Sequence, residues 1–273
     1  MNKKPIGIFD SGYGGLTVLK EICKELPDYD FIYLGDNRRA PYGPLSFETV
    51  YEYTLQCVKW FFQQGCTLVI LACNTASAKA LRTIQQNDLP TIYPLKRVLG
   101  VIRPTSEVIG NYTNTKHVGI MATSGTVQSE SYLLEIQKFH PDILVAQEAS
   151  PEWVNIVESG KHLSEEADAP VKMHIENLLK KDKNIDCILL ACTHYPLLIN
   201  KIKQFVPKHI NIISQGQIVA QSLKTYLENH VEIDNNCSKN GIVKFFTTGN
   251  EIDFNTHATL FFGQNVNASK IKL

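Results

Sequence analysis

Apolar runs of three to five residues recur along the chain, separated by longer stretches in which apolar positions return every three or four residues. The runs at Ile6 to Phe9, Phe31 to Leu34, Leu68 to Leu71, Thr91 to Tyr93, His117 to Met121, Ile143 to Ala146, Cys187 to Leu190, Asn211 to Ile213 and Ile242 to Phe246 are the predicted strands. Between the first two, Leu19, Ile22, Cys23 and Leu26 share one face of a helix predicted from Leu16 to Leu26. A longer helix is predicted from about Phe47, with Ser46 as its N-cap and Gly65 as its stop. Continuous apolar strands alternating with helices predict an α/β fold, its parallel sheet covered on both faces. Ligands of such sheets bind beyond the carboxyl ends of the strands.

The pattern also repeats. Leu71-Ala72-Cys73-Asn74-Thr75 returns as Leu190-Ala191-Cys192-Thr193-His194, each time directly after an apolar run. At nearly the same interval, Ile6-Gly7-Ile8-Phe9-Asp10-Ser11-Gly12 is echoed by Val118-Gly119-Ile120-Met121-Ala122-Thr123-Ser124-Gly125. A repeat on this scale predicts two pseudo-symmetric, flavodoxin-like α/β domains, with the active site expected in the cleft between them. No linker composition marks a boundary, so the domains are drawn from the repeat: 1–97 plus 208–273, and 98–207.

Composition narrows the function. At 273 residues and 44% hydrophobic content the chain can bury a large core. Its formal net charge is zero, with charges scattered singly, which argues against nucleic acid or an anionic membrane as partner. No apolar run approaches the roughly 20 residues of a membrane span, and Met1-Asn2-Lys3-Lys4-Pro5 leads straight into a strand. A cytoplasmic protein is the expectation. Seven cysteines without a C-x-x-C pair fit a reduced compartment, and no metal-ligand spacing is present.

Cys23, Cys57, Cys66 and Cys187 read as small buried hydrophobes. Cys73 and Cys192 differ, because both leave their strands at equivalent points and polar residues follow. A thiol of ordinary pKa, about 8.5, needs an acidic or imidazole neighbour or helix N-terminal amides to work as a base near neutrality. Asn74, Thr75 and Thr193 are expected to open helices that supply such amides, and Asp10 and His194 are placed as proton partners. Asp10 could equally be an N-cap and His194 a hydrogen-bonded core imidazole. The segment Gly35-Asp36-Asn37-Arg38-Arg39-Ala40-Pro41-Tyr42-Gly43 reads by itself as a surface turn.

Taken in order, Phe9-Asp10-Ser11-Gly12, Gly35-Asp36 with Ala40-Pro41-Tyr42-Gly43, Ala72-Cys73-Asn74-Thr75-Ala76, Ala122-Thr123-Ser124-Gly125-Thr126-Val127, Val157-Glu158-Ser159 and Ala191-Cys192-Thr193-His194-Tyr195-Pro196 resemble the glutamate racemases of the aspartate/glutamate racemase superfamily. The resemblance implies a cofactor-independent isomerase, with no metal, that interconverts L- and D-glutamate and supplies peptidoglycan synthesis. It implies that Cys73 handles the α-proton on the D face and Cys192 that on the L face. Asp10 would assist Cys73, while His194 and Glu158 would assist Cys192. Substrate contacts carry over onto Ser11, Pro41, Tyr42, Gly43, Asn74, Thr75, Thr123, Thr126 and Thr193, and the assembly implied is a homodimer. The chain departs from the pattern at Ser150, where many relatives carry Cys, and at Gln215-Gly216, which replaces an acidic turn. The alternatives are an aspartate racemase, which would keep both thiols, and a non-catalytic amino-acid-binding protein, which would need neither.

Overall fold

The apolar runs become the strands of two parallel sheets. A computed structural model describes residues 3–273. The strands are β1 (Ile6–Asp10), β2 (Phe31–Gly35), β3 (Leu68–Leu71), β4 (Arg97–Gly100), β5 (His117–Ala122), β6 (Leu144–Ala149), β7 (Cys187–Ala191), β8 (Asn211–Ser214), β9 (Val243–Thr247) and β10 (Ala268–Lys270). The first sheet runs β10-β9-β2-β1-β3-β4 and the second β6-β5-β7-β8. All pairings within the two sheets are parallel. Every residue of β1, β2, β3 and β7 is buried, which explains their unbroken apolar character.

The chain divides into two compact units. One runs to Val101 and resumes at Gly216, and the other is Ile102–Gln215. Both are wound alike: in each, the first strand lies between the second and the third, so β5, β6 and β7 repeat the arrangement of β1, β2 and β3. In each sheet the winding direction reverses beside this first strand, the switch point where doubly wound sheets bind ligands.

Helix α1 (Leu16–Glu25) turns Leu16, Val18, Leu19 and Ile22 into the core. Helix α2 (Phe47–Gln63) starts at Ser46, whose side chain accepts the Thr49 N–H, and ends before Gly65 at φ +89°. Its buried face of Val50, Thr54, Cys57, Val58, Phe61 and Phe62 keeps helical spacing. One expected strand is corrected. Thr91 and Ile92 lie in the helical turn Leu89–Ile92, with Pro90 in its first turn, and the strand of this region is β4, a few residues later. Gln215, which stands in place of the acidic turn, is buried, and its amide donates to Thr105 Oγ1 and to the Tyr132 hydroxyl. Among the described residues no helix is long and apolar enough to cross a membrane.

Candidate active site

Strand register decides which side chains leave each sheet together. In the first sheet Asp10 is level with Gly35, the Asp36 N–H donates to the Asp10 carbonyl, and the Ala72 N–H donates to that of Phe9. The residues that follow, Ser11, Asp36 and Cys73, therefore stand on one rim with Asp10. The second sheet repeats this: Ala122 is level with Ala149 and Ala191, and the Ser150 N–H donates to the Ala122 carbonyl. Thr123, Ser150 and Cys192 stand on that rim.

Cys73 is the N-cap of helix α3 (Asn74–Lys79) and accepts the Ala76 N–H on its sulfur at 3.4 Å. An amide dipole aimed at sulfur favours thiolate over thiol. The Ser11 hydroxyl lies 3.5 Å from the same sulfur. Asn74 and Thr75, both buried, open the helix as expected.

Asp10 is not an N-cap. Its carboxylate accepts the Gly12 N–H at 2.9 Å, closing the turn after β1, while Gly15 caps α1. Tyr33 lies beneath, donating to the Gly12 carbonyl at 2.8 Å, and its ionisation is pushed far up by burial, then by the Asp10 and Cys73 charges nearby. A Cβ at Gly15 would stand 2.5 Å from Asp10 Cβ and 3.1 Å from the Tyr33 hydroxyl. Gly15→Ala should therefore cost roughly 1–3 kcal/mol, the scale of overpacking, and displace Asp10. Denaturant unfolding checks the first part; full stability in the variant would show that the turn has slack.

Tyr42, Pro41 and Gly43 follow β2. Here the surface-turn reading fails, because Asp36 is fully buried. Its carboxylate accepts from the Tyr42 hydroxyl at 2.5 Å, Arg39 Nε at 2.6 Å and the Thr248 hydroxyl at 2.7 Å. Tyr42 thus commits its side chain to the core, Pro41 is exposed, and Lys79 ties the loop to α3 through the Leu45 carbonyl. Sequence reasoning overlooked Asp36; a carboxylate straight after β2, matching Asp10 after β1, is the signal it left.

Cys192 is served differently. Thr193 does not open a helix: it precedes a 3-10 turn at Tyr195–Leu198. His194 Nδ1 lies 3.9 Å from Cys192 Sγ, and its Nε2 lies 2.9 Å from Glu158 Oε1. Burial alone would lower the pKa of this imidazole, but hydrogen bonds to Cys192 and Glu158, with their negative charge, raise it to about 10. An imidazolium beside the sulfur stabilises the thiolate. Glu158 ends the helix Glu152–Glu158. Thr123 caps the helix Ser124–Gln128 by accepting the Thr126 N–H, and its hydroxyl lies 3.1 Å from that of Thr126. Thr123, Thr126 and Thr193 are buried.

Of the predicted residues, Asp10, Ser11, Cys73, Asn74 and Thr75 thus gather on the first rim, with Pro41, Tyr42 and Gly43 on the loop beyond β2. Thr123, Thr126, Glu158, Cys192, Thr193 and His194 gather on the second. Of the remaining thiols Cys57, Cys66, Cys187 and Cys237 are buried, whereas Cys23, expected in the core, is only half-buried; burial pushes Cys23, Cys66 and Cys187 up to about 12, Cys237 to about 11, and Cys57 well up too. Among the described residues no group of three or more His, Cys, Asp or Glu is set to hold a metal ion.

Comparison with known proteins adds a further finding. Residues 11–223 match the family model for Asp/Glu/Hydantoin racemases. The chain is 39% identical over 271 residues to a glutamate racemase of Ruegeria sp. (strain TM1040), covering 96% of this chain and 97% of that one. Its structure is similar to that of a glutamate racemase isoform from Bacillus anthracis, with a TM-score of 0.90, 32% identity, and coverage of 100% of this chain and 99% of the other. The glutamate racemase of Francisella tularensis, solved in complex with D-glutamate, gives a TM-score of 0.87 at 29% identity, covering 100% and 98% of the two chains.

Proposed function

The chain belongs to the Asp/Glu/Hydantoin racemase family, and on that premise we propose that it interconverts L- and D-glutamate by a two-thiol mechanism. The observation that carries the mechanism is that Cys73 and Cys192 occupy the same rim position of two like-wound sheets, each beside groups that favour its thiolate. The thiolate of Cys73 removes the α-proton of D-glutamate, and the electron pair stays on the α-carbon. The thiol of Cys192 then delivers a proton to the opposite face, yielding L-glutamate and leaving a Cys192 thiolate poised for the reverse reaction. Asp10 is the proton partner on the first side, and Glu158 acts through His194 on the second.

With no electron sink in this scheme, the carbanion must be met by preorganised donors in a site closed to water. The side chains of Ser11, Asn74, Thr75, Thr123, Thr126 and Thr193 supply such donors around the two thiols. From the loop after β2, the contact offered at Tyr42 is main chain, because its hydroxyl is held by Asp36. One methylene separates glutamate from aspartate, which pocket fit discriminates by only about 1–3 kcal/mol. Glutamate is favoured by the relatives' activity. The D-glutamate would serve peptidoglycan synthesis, in a cytoplasmic homodimer.

The test is polarimetric. L-glutamate incubated with the protein, with chelator and without added cofactor, should lose its circular dichroism completely, since the enantiomers have equal energy. L-aspartate at the same concentration should lose its signal far more slowly. An unchanged signal from glutamate, or a strict need for added pyridoxal phosphate or zinc, would refute the reading.

A further inference from the structure

Beyond the groups at the sulfur, a second ionic cluster lies at the far end of the helix that carries Glu158. His174, on the helix Asp168–Lys181, is buried with both ring nitrogens engaged: Nδ1 is 2.8 Å from Glu148 Oε1 on β6, and Nε2 is 2.9 Å from Glu152 Oε2. Lys181 Nζ donates to Glu148 Oε2 at 2.7 Å, and Asn177 reaches Glu148 Oε1 at 3.4 Å. The ring thus bridges β6 and the first turn of the helix Glu152–Glu158 through a carboxylate at each nitrogen. Lys181 and His174 hold the Glu148 carboxyl below its usual range, although burial opposes this.

Glu152 and Glu158 are the two ends of one seven-residue helix, roughly 10 Å long at 1.5 Å per residue. Its next residue, Trp153, is fully buried and meets His174 edge-on at 6.1 Å and Tyr195 at 4.9 Å, while the Tyr195 hydroxyl donates to the Ser150 carbonyl at 2.8 Å. A short helix pinned at its first turn by a charge-assisted bond has little freedom to shift at its last. Charge-assisted bonds are the strong ones, and this one is shielded on the His174 side.

We propose that His174, through Glu152, is a positioning residue that holds the helix Glu152–Glu158 so that Glu158 stays on His194 and keeps the Cys192 thiol activated. The chemical consequence rests on the two-thiol reading above, but the mechanical link does not. Glu152 is the better place to cut, because its side chain is 54% exposed, so its loss opens no cavity in the core and releases only the bond to His174 Nε2. Glu152→Ala should lower kcat/KM about tenfold, less than the roughly 100-fold expected when a reacting group is misplaced by 1 Å. Glu152→Gln, which keeps an acceptor for His174, should restore most of it. His174→Asn, whose amide can still reach Glu148 but not Glu152, should behave like Glu152→Ala.

Three readouts separate positioning from mere stability. Slowing proton removal by Cys192 should raise the α-deuterium effect on kcat/KM with L-glutamate and lower it with D-glutamate. Glu152→Ala should add nothing in a Glu158→Gln background, where the helix end has no carboxylate left to place. In a Cys73→Ser background, alkylation of Cys192 by iodoacetamide near neutral pH, followed by peptide mass, should slow severalfold with Glu152→Ala and recover with Glu152→Gln. The alkylation assay needs no turnover, so it decides the link even if Cys192→Ala still racemised and the functional reading fell. Unchanged alkylation, or a loss that adds fully to that of Glu158→Gln, overturns the proposal.

Discussion

Alanine at Cys73 and alanine at Cys192 should each abolish racemisation in both directions, by about 10³-fold or more. In the proposed mechanism each thiol is the base in one direction and the acid in the other, so removing either would leave no route from one face of the α-carbon to the other. General acid–base groups contribute roughly 10²–10⁴ each. The lone thiol left in each variant should still take and return a proton on its own face. Cys192→Ala should then exchange the α-hydrogen of D-glutamate with deuterated solvent while leaving L-glutamate untouched, and Cys73→Ala should do the reverse. Cys73→Ser is the structural control, because its hydroxyl preserves the cap on the Ala76 N–H, a bond whose loss alone costs about 0.5–2 kcal/mol. Racemisation at even a tenth of the parent rate in either alanine variant would rule out two bases.

The largest loss of stability is expected at Asp36. Its carboxylate is fully buried and serves Arg39, Tyr42 and Thr248 together, and the Arg39 side chain is itself mostly covered. Asp36→Ala strands three donors, one of them charged, and removing one partner of a buried pair costs about 3–5 kcal/mol. Asp36→Asn keeps an acceptor oxygen and should lose less. Urea unfolding followed by circular dichroism measures both; a difference under about 1 kcal/mol between Asp36→Ala and the parent would mean that water replaces the carboxylate. Because the same loop carries Pro41, Tyr42 and Gly43, the variant should also raise KM at temperatures where it remains folded.

Residues whose local pattern and tertiary role agree are the legible ones. The repeated Leu-Ala-Cys is readable because a doubly buried parallel strand needs an unbroken apolar run, and the first polar residue after it must sit on the rim. β4 is misread because Thr91, Ile92 and Tyr93 have high strand propensity, whereas Pro90 suits the first turn of a helix and Thr91 and Ile92 are exposed there; the half-buried Arg97–Gly100 pairs with β3. β10 leaves no local trace, since Ala268-Ser269-Lys270 is a strand only because β9 offers it an edge. Thr193 is expected to open a helix by analogy with Asn74, but Pro196 and the turn at Tyr195 end that likeness. The bond between Glu158 and His194 spans 36 residues, and no spacing rule reaches that far. A family resemblance pairs them, and the fold gives the reason.

The two rims support their thiols by unlike means. On the first, the carboxylate of Asp10 stands directly on the sheet; on the second, the matching position is Ala122, and the acid arrives from a helix through an imidazole. The chain that forms the first rim is itself interrupted. Asn240 clasps Asp30 across 210 residues, β9 must add to β2, and β10 must add to β9. A nascent polypeptide emerging from the ribosome therefore holds every strand of the inserted unit before the outer sheet can receive its last two. Domains generally fold as units during synthesis, and late pairing of distant segments is slow. The imidazole-served thiol can thus be in its finished surroundings while the amide-capped thiol still waits for the C-terminus.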